Sequence, residues 1–338
     1  MKKCIKLIVY ILISLLLFSF VNLLFMPKYI EENIDGRITN EFYREKLPCD
    51  VIFVGSSTVQ AGLSPISLWE TYGITSFDRS NSSQTIAISY YTVKETIKIN
   101  KPKLVVLDVG FLNKEADYYE EPSVRKTADY MKWSKAKYQL IKASEPEFDG
   151  KKLMDYMFPI LRYHSRWSDL KAEDLKYAIY KPSVTYNGQL LRFDTSIPED
   201  AIFEDTAFDE GLINDINMYY LQMLMDTCME ENVDLMLLRL PRFYSTFSNG
   251  CNNQIIDFCK NNNIIYKDLQ SEVQTIGLSN GDYLDDQHLN AYGAEKVTIY
   301  LGEYLKNTYN LENHSSDDKY IKFYQKKSER YRKALEHK

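Results

Sequence analysis

VIFVGSS, residues 51–57, is the stretch on which the fold turns. Four apolar residues run together without alternation, stop at Gly55, and hand over to two serines. An unbroken apolar run of this length suits a strand buried on both faces, as in a parallel sheet. Ligands of open parallel sheets sit beyond the carboxyl ends of the strands, which is where Ser56 and Ser57 fall. Two readings of Gly55-Ser56-Ser57 stay open at this point. One is a strand-to-helix turn, since Gly and Ser are common turn formers. The other is a serine nucleophile, which needs a base elsewhere in the chain.

The residues that follow continue the strand–helix rhythm. Ser64-Pro65 starts a helix with Ser64 as N-cap and Pro65 in its first turn, and Gly73 stops it. A short strand is expected at 74–77, then a polar loop at 78–84. Ile86, Tyr90, Val93 and Ile97 recur at helical spacing up to Pro102, and LVVLDV at 104–109 is the clearest buried strand. In the second half, Ile213, Ile216, Tyr220, Met223 and Leu224 mark a helix. Strands are expected at 234–238 and 264–266, with a helix at 254–260 between them. Pro241 closes the fourth strand, leaving Arg239 or Arg242 at its carboxyl end, as an anion site or as a solvated strand end. Strand–helix alternation of this kind predicts right-handed βαβ units and a parallel sheet in an α/β fold.

Between residues 113 and 209 the alternation is lost, and aromatic and charged residues crowd in, among them Tyr118, Tyr119, Tyr130, Trp133, Tyr138 and Tyr163. FPILRYHSRW at 158–167 is an apolar, basic and aromatic cluster. It reads as a helical subdomain packed by its own rings, or as a cleft wall in which His164, Arg166 and Trp167 bind a polymeric saccharide. The 27 tyrosines suit polar partners such as sugars.

The composition of the 338-residue chain limits its partners and its architecture. Its size allows one large domain with an insertion, or two domains. A net charge of −6 and the lack of a basic patch argue against nucleic acid. Five cysteines, at 4, 49, 228, 251 and 259, form no CxxC pair or His/Cys cluster, so no structural zinc and no cofactor is expected. Cys251 and Cys259 could pair in an exported domain.

Residues 7–26 carry no charge and are broken only by Ser14, Ser19 and Asn22. Such a run, at about 1.5 Å per residue, spans a hydrocarbon core of roughly 30 Å. Lys2, Lys3 and Lys6 precede it, which predicts a cytoplasmic N-terminus at 1–6 and everything after Pro27 outside the cell. A cleaved signal peptide is the competing reading. The run is longer than a usual signal core, no A-x-A-like site follows it, and Cys4 lies before it rather than after, so an uncleaved anchor is preferred. The expected organisation is an anchor at 7–26, a juxtamembrane connector at 27–48 and an α/β domain at 49–310 with its insertion at 113–209. A charged segment at 311–338, with Tyr320, Tyr324 and Tyr331, reads as a peripheral helix or a mobile tail.

The base is found by elimination among four histidines. His314 and His337 sit in the charged tail and His164 in the insertion. Only His288 combines a carboxylate three residues upstream, Asp285, with a loop at the start of a helix carrying Val297, Leu301, Tyr304 and Leu305. A serine activated by an imidazole that is itself held by a carboxylate is the chemistry of acyl transfer.

With these residues in view, the chain resembles the SGNH/GDSL hydrolases. GSST at 55–58 is similar to the family's first block, FDRSNSSQTIAISYY at 77–91 to its second, and DDQHLNAYG at 285–293 to its last. The resemblance implies a flavodoxin-like three-layer parallel sheet, Ser57 as nucleophile, His288 as general base and Asp285 as its orienting carboxylate. It also implies an oxyanion hole from Ser57, Ser80 and Asn113. Ser80 stands where the family usually has glycine, and Asn113 is displaced by one from the family's G-x-N pattern. Joined to a membrane anchor, such a domain is similar to proteins of teichoic-acid D-alanylation and of alginate or peptidoglycan O-acetylation. Those imply an envelope glycan or acyl ester as substrate and a membrane-bound O-acyltransferase as partner. The alternative from another class is a catalytically silent binding or scaffold protein in the same place. A metal-dependent phosphodiesterase is poorly supported by so few histidines.

Overall fold

A computed structural model describes residues 2–27, 36–113, 120–145, 147–180, 182–183, 185–203 and 211–336. Tyr118, Tyr119, His337 and most of the first half of the connector lie outside the described residues.

Helix α1, Lys2–Phe25, is long and apolar enough to cross a membrane, and none of it is buried by the rest of the chain. A short helix α2, Arg37–Phe42, leads to strand β1, Val51–Val54. Helices α3, Ser57–Gly62, and α4, Pro65–Tyr72, precede β2, Ser76–Asp78. Helix α5, Ile86–Asn100, precedes β3, Leu104–Asp108. The insertion contributes α6, Glu121–Ala128; α7, Lys135–Ser144; α8, Gly150–Met157; α9, Pro159–Tyr163; a 3₁₀ turn, His164–Ser168; and α10, Ala172–Tyr180. It is helical as expected up to Tyr180, and then extended from 185 to 203. The second half runs α11, Asp215–Glu230; β4, Asp234–Arg239; α12, Asn249–Asn262; β5, Ile265–Asp268; α13, Val273–Ile276; α14, Ala291–Thr308; and α15, Asp318–Glu336.

All five strands are parallel, in the order β2-β1-β3-β4-β5. This is the flavodoxin-like doubly wound order. Side chains of a strand alternate between faces, and the core divides accordingly. Ile52, Val54, Val105, Leu107, Leu235 and Leu237 pack with residues of α5, α7, α11 and α12. Val51, Phe53, Leu104, Val106, Met236 and Leu238 pack with residues of α3, α4 and α14. Three layers result, with β1, β2 and β3 buried throughout.

Helix boundaries follow their capping residues. Ser64 accepts from the Ser67 N–H at 3.2 Å, Pro65 occupies the first turn, and Gly73 closes α4 at φ 65°. The second strand starts two residues later than expected, at Ser76, although the Thr75 carbonyl just before it already accepts from the Val51 N–H of β1 at 3.0 Å. Of the two readings of the charged tail, the structure has the helix, and it packs closely on the domain. Tyr320, Tyr324 and Tyr331 face the domain at one- and two-turn intervals and are buried, with Tyr324 stacked on Trp69 at 4.3 Å. Cys251 and Cys259 are both free and lie on α12. Eight residues of helical rise separate them by about 12 Å, too far for a disulfide.

Candidate active site

Ser57 is the first residue of α3, directly beyond the carboxyl end of β1. The turn is tight. A Cβ on Gly55 would meet the Val59 side chain at 2.4 Å and Asp108 Cβ at 3.2 Å. Only glycine fits there, so the chain passes from strand to helix within two residues. As the first helical residue, Ser57 keeps an N–H with no acceptor inside its helix, and its side chain is half-buried rather than covered.

His288 comes from the other end of the chain. Tyr283 and Leu289 form an isolated antiparallel bridge, and the Leu284 N–H donates to the His288 carbonyl at 2.9 Å, which closes a compact loop. Asn290 caps α14: its Oδ1 accepts from the Tyr292 and Gly293 N–H groups, each at 3.1 Å, and its Nδ2 donates to the Gly281 carbonyl at 2.7 Å. A Cβ on Gly293 would lie 2.2 Å from the Asp282 carbonyl oxygen, so this first turn also needs glycine. The loop thereby directs His288 Nε2 to within 2.8 Å of Ser57 Oγ, across 231 residues of sequence. His288 Nδ1 stands 2.8 Å and 3.0 Å from the two Asp285 oxygens. Burial would raise the Asp285 carboxyl. The His288 ring and the Gln287 and His288 N–H groups outweigh that and hold it below its ordinary value of 3.8.

Two of the three expected oxyanion donors, Ser80 and Asn113, are engaged elsewhere. Ser80 is fully buried, and its N–H donates to Asp78 Oδ1 at 2.8 Å. Asn113 Nδ2 donates to the Thr246 carbonyl at 2.6 Å. The reason is local: Asp78, at the end of β2, folds its carboxylate back over the first peptides of the loop. Nor are His164, Arg166 and Trp167 part of this constellation. His164 Nδ1 is 3.0 Å from the Leu161 carbonyl, Arg166 donates to the Phe25 carbonyl and pairs with Asp174, and Trp167 is 73% exposed.

Several residues around the site were not legible in advance. Arg239 and Arg242 are buried, not solvated, because neighbouring strand ends present carboxylates to them. Arg239 pairs with Asp268 at 3.0 Å. Arg242 Nη2 donates to Thr58 Oγ1 at 3.3 Å, one residue from the nucleophile position. Asp108, at the end of β3, accepts from the Leu240 N–H at 3.1 Å and the Gly110 N–H at 3.3 Å, and burial raises its carboxyl despite the Arg242 charge. The extended segment at 185–201 straps these parts together. Asn187 O accepts from the Asp78 N–H, Leu190 N–H donates to Gln60 O, Arg192 O accepts from the Ala291 N–H, and Ser196 N–H donates to Leu284 O. Pairings of this kind carry no periodic signal. Gly188, at φ 97°, packs where a Cβ would fall 2.1 Å from the Asp78 carbonyl oxygen. Among the described residues no group of three or more His, Cys, Asp or Glu side chains is arranged to hold a metal.

No protein-family model matches the chain, and no curated protein does. Solved structures with some likeness include a protein described as an acylhydrolase from Bacteroides fragilis, 12% identical over 80% of this chain and 95% of that one, with a TM-score of 0.39. A GDSL-like lipase from Bacteroides thetaiotaomicron is 11% identical over 81% of this chain and 97% of that one, with a TM-score of 0.38.

Proposed function

We propose that the chain is a serine-dependent acyl-transfer enzyme, an O-acyltransferase or esterase of SGNH type, held by α1 at the outer face of a membrane and acting on a cell-envelope polysaccharide. The supporting observation is the 2.8 Å approach of His288 Nε2 to Ser57 Oγ, with Asp285 on the opposite nitrogen. In this reading His288 Nε2 takes the Ser57 hydroxyl proton as Oγ attacks the acyl carbonyl carbon. The imidazolium is held by Asp285 and returns the proton to the departing alcohol oxygen as the ester bond breaks, leaving acyl-Ser57. A second oxygen nucleophile, water or a sugar hydroxyl, then gives its proton to His288 and attacks the acyl carbon, and His288 returns that proton to Ser57 Oγ as the acyl–serine bond breaks.

The developing oxyanion lies against the free N–H of Ser57 at the start of α3. Ser80 and Asn113 complete the hole only after leaving Asp78 and Thr246. A missing donor costs roughly 10²–10³ in rate, which favours a slow, specialised transferase over a fast esterase. Lys2, Lys3 and Lys6 ahead of the apolar run support a cytoplasmic N-terminus, with the α/β domain outside. An exported serine enzyme next to the bilayer suits an acyl donor delivered by a membrane-bound O-acyltransferase, the partner that the family resemblance suggests.

The same engaged donors favour a second reading, a silent binding or scaffold protein that keeps the hydroxyl–imidazole–carboxylate set without using it. Turnover of p-nitrophenyl acetate by the purified full chain in detergent separates the two. Acyl transfer predicts measurable hydrolysis that Ser57→Ala and His288→Ala both abolish. Equal background rates in all three proteins would leave the scaffold reading standing.

A further inference from the structure

The end of α1 is not free of the protein. Residues up to 19 are exposed, whereas 20–25 are half-covered by the insertion. Phe18 and Phe158 meet edge to face at 5.5 Å, the Ile160 N–H donates to Asn22 Oδ1 at 2.9 Å, and Arg166 Nη1 donates to the Phe25 carbonyl at 2.5 Å. A helix needs about 20 residues to cross the hydrocarbon core, and here the uncharged run is residues 7–26. The turns from Phe18 to Phe25 that meet the insertion therefore belong to the span. Seven residues of rise amount to about 10 Å. Whatever packs on them must enter the membrane boundary to a comparable depth.

The segment that packs there exposes large apolar residues among its polar ones. Met157 on α8, Leu161 on α9, Trp167 on the 3₁₀ turn, and Leu175, Ile179 and Tyr180 on α10 are all exposed, Trp167 by 73% and Tyr180 by 74%. Single exposed apolar residues are ordinary, but a contiguous set of helices presenting them is a docking surface. Tryptophan and tyrosine favour the level of the lipid headgroups. Residues 150–180 carry six Lys and Arg against four Asp and Glu, a local excess of two positive charges in a chain of net −6. An amphipathic, basic, aromatic surface is the composition of helices that lie about 5–10 Å deep in the interface.

We infer that α8–α10 form a membrane-seated collar around the outer end of α1, with Trp167 and Tyr180 among the lipid headgroups, so that the α/β domain is docked on the bilayer rather than tethered above it. This rests on the reading of α1 as a membrane span. The insertion is then the part of the chain that sets the domain's height and tilt above the lipid, a role distinct from the saccharide cleft wall expected of it.

The test uses the full chain in vesicles of phosphatidylcholine and phosphatidylglycerol whose acyl chains are brominated near the headgroup. Heavy bromine quenches indole emission only in contact, and comparison with Trp167→Phe isolates the Trp167 share from Trp69 and Trp133. The collar predicts quenching in the unaltered chain that falls by at least half in Trp167→Phe. Alkaline carbonate extraction of the same vesicles reports on α1 separately. Protein that resists extraction but shows no Trp167-dependent quenching overturns the collar and leaves the anchor intact. Protein that washes off overturns both.

Discussion

Asp285 gathers three donors on one oxygen: the Gln287 N–H, the His288 N–H and His288 Nδ1, all between 2.8 and 2.9 Å. It therefore shapes the loop as well as orienting the ring. An asparagine could still accept the two backbone donors, but an amide turned the other way holds the wrong imidazole tautomer. Asp285→Asn is expected to lower the acyl-transfer rate roughly 10²–10⁴-fold while leaving the thermal midpoint nearly unchanged; steady-state rates and a melt on the same sample check both. Asp78 behaves oppositely. Complete burial pushes its carboxyl from 3.8 to about 7, against the Ser80 hydrogen bonds and the Arg79 charge. A group whose folded pKa lies above its unfolded one favours folding at low pH and loses that contribution as pH climbs through the folded value. The loss here runs from about pH 4 to beyond pH 7. Asp78→Asn keeps an acceptor for the Ser80 N–H and removes the titration. Its melting point relative to the unaltered chain should thus be higher at pH 8 than at pH 5, and an equal offset at both pH values would contradict this. At this scale the sequence was partly legible. His288 stood out because three other histidines had poorer surroundings. The destination of the Ser80 N–H was hidden, because it depends on how Asp78 turns back at the end of β2.

Elements were legible where burial is two-sided. β1 and β3 read as unbroken apolar runs because both of their faces are covered, and each appears within a residue of its expected limits. β5 is half-buried throughout and lies at the edge of the sheet, so its apolar signal is weak, and it starts and ends later than the run at 264–266 suggested. The strap at 185–201 had no signature at all, since it pairs with loops and helix ends rather than with a strand. Helix α14 matters most to the site, because its cap sits two residues from His288. Asn290 is 1% exposed and serves two helix N–H groups and one loop carbonyl. Asn290→Ala should cost about 1–2 kcal/mol, from the lost cap alone. It should also slow acylation of Ser57, as the His288 loop loses its hold on Gly281. Urea titration and single-turnover kinetics measure the two effects, and a change in stability with no change in acylation rate would mean that the loop is held without the cap.

Across the whole molecule, the first and last helices are used in different ways. Over its last turns α1 meets the insertion, through Phe158, Ile160 and Arg166. α15 is sewn into the domain: the Ser67 hydroxyl donates to the Tyr331 hydroxyl oxygen at 3.1 Å, Lys327 pairs with Glu45 at 2.7 Å, and Tyr320, Tyr324 and Tyr331 form a separate core with Leu47, Ile66 and Trp69. A charged segment with a tyrosine every few residues looked like a tail because its polar side chains outnumber the rings; the rings share a face only once the helix is formed. Tyr331→Phe should cost about 1 kcal/mol for the hydrogen bond. Tyr331→Ala should cost roughly 3–5 kcal/mol for the emptied space. Equal costs for the two would show that α15 detaches as soon as the hydroxyl is lost.

The central claim is that Ser57 is an activated nucleophile. Mass spectrometry of the purified full chain after exposure to a fluorophosphonate probe tests it most directly, because a phosphonyl group transfers only to a hydroxyl whose proton has a base to go to. The account predicts one adduct, on the peptide carrying Ser57, absent from Ser57→Ala and strongly slowed in His288→Ala. An unlabelled chain, or an adduct on another serine that survives Ser57→Ala, would contradict it.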